Sequence, residues 1–243
     1  WFHLEPKGAG YTGALSGVAV SDRATGPYTF LRAVRPDAGV YPTNALPQHF
    51  GKSRAAGMHF DGGSLPEHPD SLNLVGRDAA QGQMARDMTL FVDDDGRAYH
   101  IYSSEENSTL HISELTDDYL AHSGRYARFF AGRFMEAPAL FKRGGRYYLM
   151  MSGCTGWAPN AARSAVAESI WGPWTELGNP CEGPGAETQS TFVVAVAGTD
   201  RYIYMGDRWN PADAADGRYV WLPVRFGDDG FRVEWRDRWR WEE

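Results

Sequence analysis

Three polar residues stand at matched places ahead of apolar runs: Asp87 before Leu90-Phe91, Glu136 before Leu140-Phe141 and Gln189 before Phe192-Val193. A single acid ahead of a buried strand is commonly a cap or an ion-pair partner, so any one of them alone carries little. Three at similar offsets point to one shared site. The chemistry open to such a set is acid–base work on a polar substrate. A carboxylic acid kept protonated by burial and a nearby carboxylate donates to a leaving oxygen, while a polar group on the opposite face positions a water. Trp157, Trp171 and Trp209 offer flat apolar faces of the kind that stack on sugar rings, although with nine tryptophans in the chain most must be ordinary packing.

Other familiar signatures fail on their context. Gly8-Ala9-Gly10-Tyr11-Thr12-Gly13 has the spacing of a dinucleotide fingerprint, yet the β-rich Val18-Ala19-Val20 follows it instead of a helix whose N-terminus would meet a pyrophosphate. Asp93-Asp94-Asp95-Gly96 lacks the alternate ligand spacing and distal Glu of a calcium loop and reads as a hairpin turn. No Gly-x-Ser-x-Gly elbow occurs. The seven histidines include no HxxxH pair, and no metal or other cofactor is expected. With 24 Lys and Arg against 31 Asp and Glu, a net charge of −7 and no basic run, nucleic acid is an unsuitable partner. No apolar stretch reaches the roughly 18 residues of a membrane helix. Two cysteines cannot hold zinc by themselves. Cys154 and Cys181 fall within one repeat, and a disulfide between them is expected if the parent protein is exported.

The elements that must position the three polar residues follow from internal repetition. Leu90-Phe91-Val92-Asp93-Asp94-Asp95-Gly96-Arg97-Ala98-Tyr99-His100-Ile101-Tyr102 is echoed at Leu140-Phe141-Lys142-Arg143-Gly144-Gly145-Arg146-Tyr147-Tyr148-Leu149-Met150, and again from Phe192 to Met205. Each copy is an apolar strand, a Gly/Asp turn and an aromatic-rich second strand. A further match joins Gly17-Val18-Ala19-Val20 with Gly26-Pro27-Tyr28-Thr29 to Ser164-Ala165-Val166-Ala167 with Gly172-Pro173-Trp174-Thr175. Four strands repeating at roughly fifty residues are the mark of a β-propeller, whose blades crowd their inner strand ends around a central channel. A partial blade is expected at 1–35 and fuller ones near 87–125, 136–177 and 189–239, all in one domain over 1–243. The Pro- and Gly-rich stretch 36–84 reads as a long loop across one face. Trp1-Phe2-His3-Leu4 opens directly on a strand, as expected of a fragment or a processed product.

Several longer motifs together resemble glycoside hydrolase family 43, and within it the branch of exo-β-1,3-galactanases. They are Ala85-Arg86-Asp87-Met88-Thr89-Leu90-Phe91, Glu114-Leu115-Thr116-Asp117-Asp118-Tyr119-Leu120, Met135-Glu136-Ala137-Pro138-Ala139, Ser152-Gly153-Cys154-Thr155-Gly156-Trp157-Ala158-Pro159-Asn160, Gly178-Asn179-Pro180-Cys181, Met205-Gly206-Asp207-Arg208-Trp209 and Arg218-Tyr219-Val220-Trp221-Leu222-Pro223. The resemblance implies a five-bladed β-propeller with a central sugar pocket and hydrolysis with inversion. It implies Glu136 as general acid, Asp87 as the neighbour that tunes and orients it, and Gln189 in the place where most inverting relatives carry a carboxylate base. It also implies sugar contacts from Asn107, Thr155, Gly156, Asp207, Arg208 and Trp209. Upstream of Trp1 the family carries a first blade and part of a second, with a Glu beside the acid, so this all-β chain is expected to be N-terminally incomplete. The expected partner is an oligosaccharide or polysaccharide, and the expected location of the parent is extracellular or periplasmic. Alternatives are an α-L-arabinofuranosidase or β-xylosidase of the same family, and a non-catalytic carbohydrate-binding propeller.

Overall fold

Each apolar run ahead of a Gly/Asp turn becomes a strand paired with the aromatic-rich run behind it. The computed structural model describes residues 1–60, 69–183, 185–228 and 230–241. Its strands form four antiparallel sheets in which neighbours in sequence are neighbours in space. The first sheet holds β1 (Phe2–Leu4), β2 (Leu15–Val20) and β3 (Thr29–Val34). The second holds β4 (Met88–Val92), β5 (Ala98–Ser104), β6 (Thr109–Leu115) and β7 (His122–Phe129). The third holds β8 (Met135–Arg143), β9 (Arg146–Gly153), β10 (Arg163–Ala167) and β11 (Thr175–Gly178). The fourth holds β12 (Gln189–Val196), β13 (Arg201–Arg208), β14 (Arg218–Gly227) and β15 (Gly230–Val233).

The turns explain the register. Arg143 pairs with Arg146 across Gly144 and Gly145, whose φ of 57° and 77° give the two left-handed positions a tight hairpin needs. In the second sheet the amide of Gly96 donates to the Asp93 carbonyl at 2.9 Å, so Asp93-Asp94-Asp95-Gly96 is a turn. The Gly26-Pro27 and Gly172-Pro173 turns both carry a cis peptide bond. Among the described residues of 36–84 lie two 3₁₀ turns, Pro47–Phe50 and Pro69–Leu72, and the five-residue helix α1 (Leu74–Asp78). A helix that short shows no periodicity in the sequence. Asn73 caps it, its Oδ1 accepting from the Gly76 amide at 2.9 Å.

The chain divides into two compact units, Trp1–Phe134 and Met135–Glu243. The first is held partly by buried charge. Between β5 and β6, Glu105, Glu106 and Asn107 are successively left-handed, with φ of 50°, 58° and 64°. Non-glycine residues pay roughly 1–2 kcal/mol each there. Ion pairs hold the bend. Arg128 of β7 grips Glu105 from Nε at 2.8 Å and from a terminal nitrogen at 2.7 Å, and His111 Nε2 lies 2.8 Å from the same carboxylate. Burial works to raise the Glu105 pKa, but the Arg128 charge and these hydrogen bonds outweigh it and bring it to about 2. Arg86 and Arg77 hold Glu106 at 2.9 and 2.8 Å.

In the second unit the core is aromatic. Phe141 of β8 stacks on Tyr148 of β9 with ring centres 5.4 Å apart and meets Phe231 of β15 edge-on at 5.1 Å. Cys181 joins this core beside Val233. The expected Cys154–Cys181 disulfide is absent: both are thiols. Cys181 is locked into the apolar core, where burial pushes it up to about 12, whereas Cys154 follows β9 in the loop that leads to Asn160.

A second buried polar pair makes the first unit acid-sensitive. His100 Nδ1 lies 3.0 Å from His122 Nε2, and the Trp1 ring covers both. Burial, then the neighbouring His122 charge, hold the pKa of His100 well below its ordinary value; burial, then Arg32, bring His122 to about 4. Because the folded values lie below the unfolded one near 6.5, this stability is complete above that pH and is lost on acidification towards 4. Urea unfolding between pH 7 and 4.5 is expected to show stability falling by up to about 1.4 kcal/mol per pH unit for each histidine below pH 6. His122→Phe should flatten that slope.

Candidate active site

The site of the second unit is built at the start of β8 and β12. Glu136 pairs with Ser152 of β9, and the register then slips before Ala139 pairs with Met150. The slip is a bulge at Ala137 and Pro138: Ala137 has φ 51°, and proline has no amide to give the ladder. Ser190 pins the bulge by donating from Oγ to the Ala137 carbonyl at 2.6 Å. Glu136 is half-buried and shares a sheet face with Ser152, since directly opposed residues project together.

Gln189 meets the same serine from the other sheet. Its Nε2 donates to Ser152 Oγ at 3.0 Å, and its Oε1 accepts from Trp209 Nε1 at 2.9 Å. An indole N–H only donates, so it admits only the amide oxygen on its side and fixes which way the amide points. One N–H of the amide and one lone pair of its oxygen remain for a ligand. Across the ladder from Gln189 stands Asp207, whose pKa burial raises against a hydrogen bond from Thr191.

These groups open on a cleft lined by Ser152, Gly156, Trp157, Gln189, Asp207, Arg208 and Trp209, among others. Trp157 and Trp209 meet edge to face at 5.4 Å and remain 62% and 47% exposed, leaving ring faces free to stack on a sugar. Arg208 faces Glu187 at 3.4 Å and lies 5.0 Å over the Trp235 ring. Thr155 braces its own loop. Its hydroxyl donates to the Ala158 carbonyl at 2.6 Å and accepts from Asn160 at 2.7 Å, bracing the loop. Asn160 closes that loop on Gly153 through bonds of 2.7 and 2.8 Å. Glu136 itself lies off the lining, and Trp171 sits in the turn before Pro173.

Asp87 and Asn107 belong to the first unit. Asp87 is half-buried just before β4, its carbonyl accepting from the Ser103 amide at 2.9 Å, and Asn107 is buried in the left-handed bend. Offset reasoning missed Ser152 and Asn160, whose roles depend on cross-strand and loop-closing partners. Both lie in the Ser152–Asn160 motif, where a polar residue at each end of a Gly-rich loop was the available signal.

The second unit thus sets a carboxyl group at a pinned bulge, an amide of fixed orientation bonded to the serine opposite it in the ladder, and exposed indoles over an open cleft. The chain belongs to family 43 of the glycosyl hydrolases, whose sequence profile matches residues 70–191. A curated relative, the β-D-galactofuranosidase xynD of Aspergillus niger, is 30% identical over 145 residues, which is 56% of this chain and 41% of that protein. A solved family 43 β-1,3-galactosidase in complex with galactodeoxynojirimycin superposes with a TM-score of 0.89 at 46% identity, covering 98% of this chain and 71% of that one. The exo-β-1,3-galactanase of Clostridium thermocellum gives 0.71 at 34% identity, over 93% of this chain and 43% of that one. The exo-β-1,3-galactanase of Phanerochaete chrysosporium, solved with galactose, gives 0.68 at 26%, over 95% and 44%. The chain thus spans less than half of the curated relative.

Proposed function

We propose that this chain is the main part of an exo-acting, inverting hydrolase of β-1,3-galactan, within a five-bladed propeller whose first blade and part of the second precede Trp1 in an exported parent. The observation that carries the reading is the clamp on Gln189, whose amide is fixed between Trp209 and Ser152, the residue paired across the ladder with Glu136. Glu136 donates its proton to the glycosidic oxygen as the anomeric carbon–oxygen bond breaks. A water held by Gln189 attacks from the opposite face, and the anomeric configuration inverts. A neutral amide has no useful basicity, so Gln189 acts by orienting the water, whose surplus proton passes to solvent as the new carbon–oxygen bond forms, and Glu136 is reprotonated from solvent; only an imidic acid form would let Gln189 take that proton itself. Asp87 tunes and orients Glu136, and Asn107 contacts the sugar; both assignments rest on the family motifs. The substrate class draws support from the 46% identical β-1,3-galactosidase.

The name of the curated relative favours a second reading, a β-D-galactofuranosidase. The arabinofuranosidase neighbour, at 18% identity, bears on the fold alone. Rates on β-1,3-galactobiose, p-nitrophenyl β-D-galactofuranoside and p-nitrophenyl α-L-arabinofuranoside separate these. Galactobiose is expected to be cleaved fastest, and preference for either furanoside would overturn the assignment.

The clamp has its own consequence. Trp209→Phe keeps an aromatic ring but removes the donor that orients Gln189. A hydrogen bond worth about 1 kcal/mol predicts roughly a fivefold loss of kcat on galactobiose, with the melting temperature little changed. An unchanged kcat would mean that the amide orientation does not matter to the reaction.

A further inference from the structure

We propose that the second unit carries a separate cleft for a saccharide bearing carboxylate groups, built from Arg225, Arg238, Arg240, Trp239 and Trp241. That the ligand is a saccharide rests on the proposed function; that it is anionic rests on the cleft itself.

The chain as a whole is acidic, with a net charge of −7, yet among the described residues this cleft is lined by four arginines and no carboxylate. Arg236 is engaged by Glu234 at 2.8 Å. Arg225, Arg238 and Arg240 are exposed and have no ion pair among the described residues, and the strand partner of Arg225 is another arginine, Arg232. Clustered cations without counter-charges repel one another, and a bound anion relieves that repulsion. Guanidinium groups also supply the planar fork that grips a carboxylate through two bonds.

The cleft is anchored to the fold. Trp239 packs against the core and donates from Nε1 to the Trp221 carbonyl at 2.7 Å. Trp241 meets Trp239 edge to face at 5.2 Å, and the Arg201 guanidinium lies 5.1 Å from its ring centre. Indole faces suited to a sugar ring therefore stand beside forks suited to its acid group. No lining residue is shared with the Gln189 cleft. Glu242 and Glu243 follow in sequence and lie outside the described residues.

The test titrates the protein carrying Glu136→Gln with a β-1,3-galactan oligosaccharide capped by glucuronic acid, and with the same oligosaccharide after reduction of its carboxyl group. The acid form is expected to bind at least about tenfold tighter in 50 mM salt, with the difference shrinking severalfold in 500 mM as the charges are screened. Arg238→Gln with Arg240→Gln should abolish the preference while leaving hydrolysis of neutral galactobiose by the otherwise unaltered protein unchanged. Trp241→Ala should weaken both ligands. Equal binding of the two forms, a preference that survives the double substitution, or tighter binding of a single-stranded oligonucleotide of equal charge would overturn the proposal. Failure to cleave galactobiose, with the carboxylate preference intact, would count against the proposed hydrolase and not against this cleft.

Discussion

Glu136→Gln is expected to abolish cleavage of β-1,3-galactobiose, lowering kcat by about 10²–10⁴-fold, because the departing sugar oxygen is a poor leaving group without a proton. An aryl galactoside with an acidic phenol needs little protonation and should lose far less. Binding of galactose should survive, since the amide is nearly isosteric and the cleft lining at Trp157, Gln189 and Trp209 is untouched. Steady-state rates on the two substrates, with binding measured by calorimetry, check all three points. A variant retaining more than about a tenth of the galactobiose rate would remove Glu136 from the acid role.

Arg128→Met is expected to destabilise the first unit by about 3–5 kcal/mol, the cost of leaving a buried carboxylate without its cation. Glu105 is 1% exposed, and losing Arg128 strips two hydrogen bonds from it, leaving His111 as its partner in the described cluster. The bond from Arg128 to Asp70 at 2.6 Å goes too. Urea unfolding of the variant measures the loss, and a change below about 1 kcal/mol would contradict this account of the left-handed bend. Adding Glu105→Gln should recover part of it by removing the stranded charge. In the unaltered protein Glu105 titrates at about 2, below its unfolded value. Its contribution is therefore complete above about pH 4.5 and drains away as the pH falls towards 2.

The hairpins could be read from the sequence because their turns are written in local chemistry. Gly144-Gly145 between two apolar runs has few other uses, and Asp93-Asp94-Asp95-Gly96 closes the equivalent turn of the preceding sheet. Gln189 bonds Ser152, and Glu136 stands opposite that serine in the ladder of β8 and β9. What stayed hidden depends on partners distant in sequence. Nothing local ties Arg128 to Glu105, or Trp209 to Gln189, and the bulge that aims Glu136 is completed by Ser190 in another sheet. An even cysteine count suggested a bridge, but whether two thiols meet depends on where their elements end, and Cys181 ends in the core. The bracing of the loop by Thr155 was hidden too, because it needs Ala158 and Asn160 folded back onto it.

The central claim is that Glu136 and the water oriented by Gln189 work from opposite faces of the sugar. Proton NMR of the first galactose released from β-1,3-galactan, recorded before mutarotation, tests it most directly. The account predicts the α anomer from a β linkage, released one sugar at a time with no larger product. The β anomer, or oligosaccharides as the first products, would contradict it.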